Sequence, residues 1–137
     1  MPEADLNAVE KQRRREIADH TRHMILSKMS IVDEDETSLM TNYCDYYLQI
    51  SFSALHPLMV ICLAKSLDHP SSTEQRRIIN YLNLHSILGS HAINDDAGCY
   101  AYRATQWLDA EMEEERFYEI LNRCVDEANR GYHKLAG

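Results

Sequence analysis

The chain has 137 residues, the size of one ordinary domain spanning 1–137, and its 45% apolar and 26% charged residues are a globular composition. A formal net charge of −8 works against nucleic acid, because phosphate neutralisation needs clustered Lys and Arg. The first residues are polar and charged, so no signal peptide is expected, and the longest apolar run, Leu58 to Ala64, is too short to span a bilayer. The expectation is a cytoplasmic protein with no membrane segment. The four cysteines form no CxxC motif. Cys62 lies in an apolar run and Cys124 on an apolar helical face, which suits buried thiols in a reducing compartment.

Residues 6–29 fit a helix with Leu6, Val9, Ile17, Thr21, Met24 and Ile25 on one stripe and Asp5 as N-cap. Segment 30–42 has no firm assignment. Ser30-Ile31-Val32 fits a short strand, and the acidic run Asp33 to Glu36 fits a turn or a solvated edge. From 46 to 54, apolar Tyr46, Leu48, Ile50, Phe52 and Ala54 alternate with Tyr47, Gln49, Ser51 and Ser53, the period of a half-buried strand. Leu55-His56-Pro57 breaks it, and Leu58 to Leu67 follows as a strand apolar on both faces, hence central. Together they predict an antiparallel hairpin.

Ser72 three residues before Gln75 marks a capping box, and Ile78, Leu82 and His85 continue at helical spacing. Gly89 suits a left-handed helix end and Gly98 a left-handed turn between strands Ser90–Asn94 and Cys99–Leu108. Phe117, Leu121, Cys124, Ala128, Tyr132 and Leu135 form the apolar stripe of a last helix. Asp109 is its candidate cap, and Glu111, Glu113, Glu114 and Glu115 are assigned to its first turns, where the helix dipole favours acids. The order helix-hairpin-helix-hairpin-helix predicts an α+β fold: three helices on an antiparallel sheet of four or five strands.

The stretch Ile78-Ile79-Asn80-Tyr81-Leu82-Asn83, a glycine after it, a short hairpin and a long final helix ending near Tyr132 and Leu135 resemble YbjN-type domains, described as bacterial sensory transduction regulators. The resemblance covers residues 40–135, and that family's fold is similar to type III secretion chaperones. It implies a bacterial cytoplasmic protein that binds another protein, often as a dimer. It supplies no catalytic residues, and the basic run Lys11 to Arg15 and the acidic run at 33–36 match no pattern of it.

No motif marks a catalytic or cofactor site. His20 and His23, at i and i+3, set two imidazoles on one side of a helix, but a third ligand and an HExxH pattern are missing. Solvated histidines are the simpler account, and a small metal-binding protein or enzyme using His20 and His23 is the alternative. A second hairpin could bring His91 near Cys99, with Asp95 as a third member, but Asp95 and Asp96 make the setting acidic, the wrong field for a reactive thiolate. The absence of a catalytic motif, together with what the resemblance implies, leads to the expectation of a non-catalytic protein-binding or chaperone-like module with no cofactor and no metal. Tyr47, Gln49, Ser51 and Ser53 are its candidate binding residues on an open sheet face or edge. A homodimer is expected, formed through the uncharged strand Tyr46–Ala54 or through the basic first helix and the acidic start of the last; the strand is favoured.

The alternation generates a direct test. Ile50→Asp or Phe52→Asp should unfold the protein or make it insoluble, because an unpaired buried carboxylate costs several kcal/mol against a total stability of roughly 5–15 kcal/mol. Gln49→Asp and Ser51→Asp should leave the urea midpoint nearly unchanged. Equal losses on both faces would show the register to be wrong.

Overall fold

The computed structural model describes residues 8–53, 56–108 and 110–136. Helix α1 spans Ala8–Lys28 and strands follow at β1 (Asp33–Glu34), β2 (Ser38–Tyr43), β3 (Tyr46–Phe52) and β4 (Leu58–Ser66). Helix α2 (Thr73–His85), strands β5 (Gly89–Asn94) and β6 (Cys99–Trp107) and helix α3 (Glu114–Ala136) complete the chain. The sheet is antiparallel throughout, in the order β1-β2-β3-β4-β6-β5. It is the expected α+β fold with three helices, and six strands where four or five were expected.

Both expected hairpins form, β3 with β4 and β5 with β6. β4 is central, as its two-faced apolar run requires. The extra strands come from the unassigned segment. β1 takes the first half of the acidic run, and Ser30–Val32, expected as a short strand, forms none. β2 joins β3 through Cys44 and Asp45, with φ of 50° and 69°. This is the left-handed pair of a two-residue hairpin turn, whose sense matches strand twist. The turn carries no glycine or asparagine, so nothing announces it in the sequence.

α1 meets the core only from Ile17 onward, through Ile17, Thr21 and Ile25. Val9, expected on the buried stripe, is 79% exposed; Leu6 and Asp5 lie outside the described residues. α2 has the expected capping box, with Gln75 N–H donating to Ser72 Oγ and Ser72 N–H to Gln75 Oε1, both at 3.1 Å. It ends at Ser86 in extended conformation, so Gly89 is not a left-handed helix stop. Gly89 opens β5 instead, where a Cβ would collide with the Arg103 carbonyl and lie 2.7 Å from the Tyr102 ring. Gly98 does take the left-handed turn, at φ 64°.

α3 starts later than its acidic run implies. Leu108 and Met112 are buried, and Leu108 N–H donates to the Pro57 carbonyl. These contacts hold the preceding stretch in the core, so Glu111 and Glu113 precede the helix, while Glu114 and Glu115 occupy its first turn. Asp109 lies outside the described residues. The α3 stripe Phe117, Leu121, Cys124, Ala128 and Leu135 packs on the sheet as expected.

Tyrosine hydroxyls tie the layers together. Tyr43 and Tyr46 donate to Asn122 Oδ1 and Asn129 Oδ1 of α3 at 2.6 and 2.7 Å. Tyr132 donates to the Ser66 carbonyl at 3.0 Å and Tyr118 to the Lys28 carbonyl at 3.2 Å. The most connected group is the buried carboxylate of Glu127 on α3. It accepts the N–H groups of Ile87, Leu88 and Gly89 at 2.9, 3.2 and 3.0 Å and the Tyr102 hydroxyl at 2.7 Å. Burial pushes the Glu127 carboxyl up, but these four donors together outweigh it and hold it below its ordinary 4.5.

A carboxyl whose folded pKa is depressed stabilises the fold above its unfolded value, and that contribution is lost as pH falls through the folded value. Glu127→Gln should therefore lower the unfolding free energy at pH 7 by about 1–3 kcal/mol, since the amide turns a donor toward existing donors. The gap to the parent should close as pH falls below 4.5. Urea titrations at neutral and acid pH measure this; a gap that widens in acid rules the clamp out.

Candidate protein-binding face

β3 divides its residues as alternation demands. Tyr46, Leu48, Ile50 and Phe52 point into the core, and Tyr47, Gln49 and Ser51 point outward. The three helices lie on the inward side, where Tyr43, Tyr46 and Tyr102 meet α3. The outward face of the sheet carries no helix among the described residues.

The register lays this face out in rows. Tyr47 stands between Asn42 and Ala64, and the row continues through Ala101 to Ala92. Gln49 stands between Met40 and Cys62, with Arg103 beyond. Ser51 lies between Ser38 and Val60, followed by Thr105, and Leu58 pairs with Trp107 at the far end. Tyr47 and Trp107 are 50% and 64% exposed. Two aromatic side chains thus flank a floor of small and neutral residues, with Arg103 as a cation in its middle. Ser38 and Ser51 hydroxyls are 3.1 Å apart, and Gln49 Nε2 reaches them at 3.4 and 3.5 Å. Burial pushes the Cys62 thiol up, with Arg103 pulling the other way, which makes it a poor nucleophile.

Of the residues singled out in the sequence, Tyr47, Gln49 and Ser51 are brought together here. Ser53 is placed beyond the end of β3, in the turn, where its Oγ accepts the His56 N–H at 3.0 Å. Trp107, Met40, Cys62 and Arg103 join the face only through strand order. The signal for Arg103 was the period-two pattern of β6, in which Tyr100, Tyr102 and Ala104 are buried and Arg103 and Thr105 exposed.

The edge route is closed. β3 pairs with β2 on one side and β4 on the other, so it presents no free edge. At the β5 edge, the Asn83 side chain acts as a surrogate strand. Its Oδ1 accepts the His91 N–H at 2.7 Å and its Nδ2 donates to the His91 carbonyl at 3.0 Å. At the other edge, β1 is two exposed acidic residues long. Both are devices that blunt strand addition.

The other candidates disperse. His20 lies 3.7 Å from Glu111 on an exposed surface, His23 is exposed, and no group of three metal-ligating side chains occurs among the described residues. His91 points into the core, with Nδ1 2.6 Å from the Tyr100 hydroxyl, and burial lowers its pKa. Cys99 pairs with Asn94, three residues from His91 and therefore on the opposite face, so the two do not form a pair. Asp95 accepts from Ser71. In the basic run, Arg13 and Arg14 bind Glu10 one turn away.

No protein-family model and no curated protein matches the sequence. The fold is similar to solved type III secretion chaperone complexes. The structure of the Yersinia pestis type III secretion chaperone SycH with a stable fragment of YscM2 matches with a TM-score of 0.57 and 12% identity, over 83% of this chain and 98% of that one. The ExoT–SpcS complex of Pseudomonas aeruginosa gives 0.55 and 12%, over 91% and 98%. The heterodimeric ExoU–SpcU complex of the P. aeruginosa type III secretion system gives 0.53 and 16%, over 88% and 94%. At these identities the likeness is one of fold. No helix among the described residues is long and apolar enough to cross a membrane.

Proposed function

We propose that this chain is a non-catalytic, chaperone-like module that holds a segment of a partner protein, acting as a regulator in bacterial signalling or secretion in the cytoplasm. The observation that carries the proposal is the uncovered outer sheet face, with Tyr47 and Trp107 exposed above small neutral neighbours. Exposed aromatics over a neutral floor suit a protein partner, because they supply contact area at low entropic cost. The fold supports the same direction, since SycH is itself described as a type III secretion chaperone. Membership of the YbjN-type group is the finer part of the proposal and rests on Ile78–Asn83 and the order of elements.

Pull-down from the native host with mass spectrometry, run on the parent and on Tyr47→Asp, tests the face. The substitution is at an exposed site and should leave circular dichroism and melting unchanged. A partner retained by the parent and lost by the variant is expected; identical partner sets would refute the assignment of the face.

The proposal includes a homodimer at micromolar concentration. Pairing through β3 is excluded by its two neighbours, so the contact uses side chains. The exposed large apolar residues away from the sheet face, among them Val9, Val32 and Leu84, carry no charge. The dimer should therefore survive about 1 M salt, where the Debye length is roughly 3 Å. Sedimentation equilibrium at low and high salt decides this. A monomer at every concentration removes the dimer and leaves the test of the face intact.

A further inference from the structure

We propose a second docking surface, on the helix side of the molecule: the groove between α2 and α3 takes a linear acidic, apolar segment of a partner protein. The two helices run antiparallel, since Gln75 reaches the Leu135 carbonyl at one end and Ile87 reaches Glu127 at the other. Three hollows of about 360, 160 and 180 Å³ follow one another along this junction. The first two share Tyr81 and Lys134, and the last two share Glu127 and Arg130, so they form one trough. From Lys134 to Arg123 the helix rises about 16 Å, the reach of about five extended residues.

The walls differ in kind. Along the α2 side stand Tyr81, Ile87 and Leu88, all exposed. On α3 stand Arg123, Arg130 and Lys134, seven and then four residues apart, hence on one stripe. Arg77 closes the end beside Lys134. Arg123 has an exposed i,i+4 partner in Glu119, whereas Arg77, Arg130 and Lys134 make no ion pair among the described residues. The carboxylates lining the trough are Glu74, Asp126 and Glu127, and the last is turned inward to four donors. Four cations thus stand against three carboxylates, one of them turned inward, in a chain of net charge −8. An extended segment alternating apolar and acidic side chains presents one set to each wall.

A second copy of this chain is a poor occupant, because much of its two acidic runs is engaged at home. Glu34 binds Arg22 at 2.9 Å, and Asp35 accepts from Thr37 and Ser38. Glu111 lies beside His20 and Glu114 beside Lys28.

Fluorescence anisotropy with a labelled peptide of alternating Leu and Glu tests the groove on the full chain. Binding is expected, weakened by salt as for exposed charges, and about tenfold or more weaker in Arg130→Glu with Lys134→Glu. Arg130→Gln with Lys134→Gln should fall between, Tyr47→Asp should bind as the parent does, and a Leu/Lys peptide should not bind. All substituted positions are exposed, so unchanged melting is the control for folding. The proposal is overturned by no binding, by binding indifferent to charge reversal, or by loss of binding in Tyr47→Asp. It is also overturned if a Ser/Glu peptide or inorganic polyphosphate binds equally well, since the groove would then be a general anion site.

Discussion

The carboxylate of Glu127 is the junction on which the rest of the architecture depends. Three successive N–H groups, those of Ile87, Leu88 and Gly89, leave the end of α2 with no helical or sheet partner of their own, and a single side chain from α3 accepts all three. The fourth donor is Tyr102 of β6. One buried anion therefore fixes the direction in which α2 turns into β5, the distance of α3 from the sheet, and the position of the Tyr102 ring. Gly89 follows from this. Glu127 holds the Tyr102 hydroxyl, and the Tyr102 ring and the Arg103 carbonyl occupy the space that a side chain at Gly89 would need. A buried charge is costly unless it is fully hydrogen-bonded, and here the donor set is complete.

Around this junction the sheet and helices are matched by polar contacts at the margins of an apolar core. Tyr46 buries its ring between the layers, Tyr43 and Tyr132 are half-buried, and each spends its hydroxyl on a partner across the interface. Such bonds add modest net energy, but they penalise any sliding of α3 along the sheet, because a shifted helix would strand several hydroxyls at once. His91 belongs to the same design. Its ring fills the space over Gly131, where a Cβ would run into it, and it contacts the Tyr100 hydroxyl. Burial lowers its pKa, which keeps the ring neutral in the core.

These couplings explain what sequence could and could not disclose. β3, β4, the Ser72–Gln75 capping box, Gly98 and the α3 stripe are local patterns, and each was legible. β2 was not, because its turn lacks glycine and sets Cys44, a residue that seldom does so, in a left-handed conformation beside Asp45. Gly89 resembled a helix stop, yet its reason lies in a strand that follows ten residues later. The alternation of β3 correctly assigned Tyr47, Gln49 and Ser51 to one face, but period two says nothing about strand order. Hence the strand looked available for edge pairing although β2 and β4 flank it. Ser53 continued the alternation in sequence only; the turn had already begun. Trp107 and Arg103 belong to the same face solely because β6 crosses over to lie beside β4.

The placement of all helices on one side of the sheet has a consequence for binding. It buries one face and leaves the other as a broad, nearly neutral surface, while the two edges are blunted by Asn83 at β5 and by charge at β1. A partner meeting this sheet is thus directed to side chains, not to unpaired backbone. The helix layer is different in character. There Tyr81 of α2 with Ile87 and Leu88 just after it, and the cationic stripe of α3, meet along a seam that Glu127 also lines. The net charge of −8 gives no hint of this division, because the acidic runs are largely bound within their own elements or to adjacent cations, and their excess lies away from the seam. Surface chemistry in this protein follows the packing of the layers: the sheet face offers exposed aromatics over neutral side chains, and the seam offers cations beside apolar side chains.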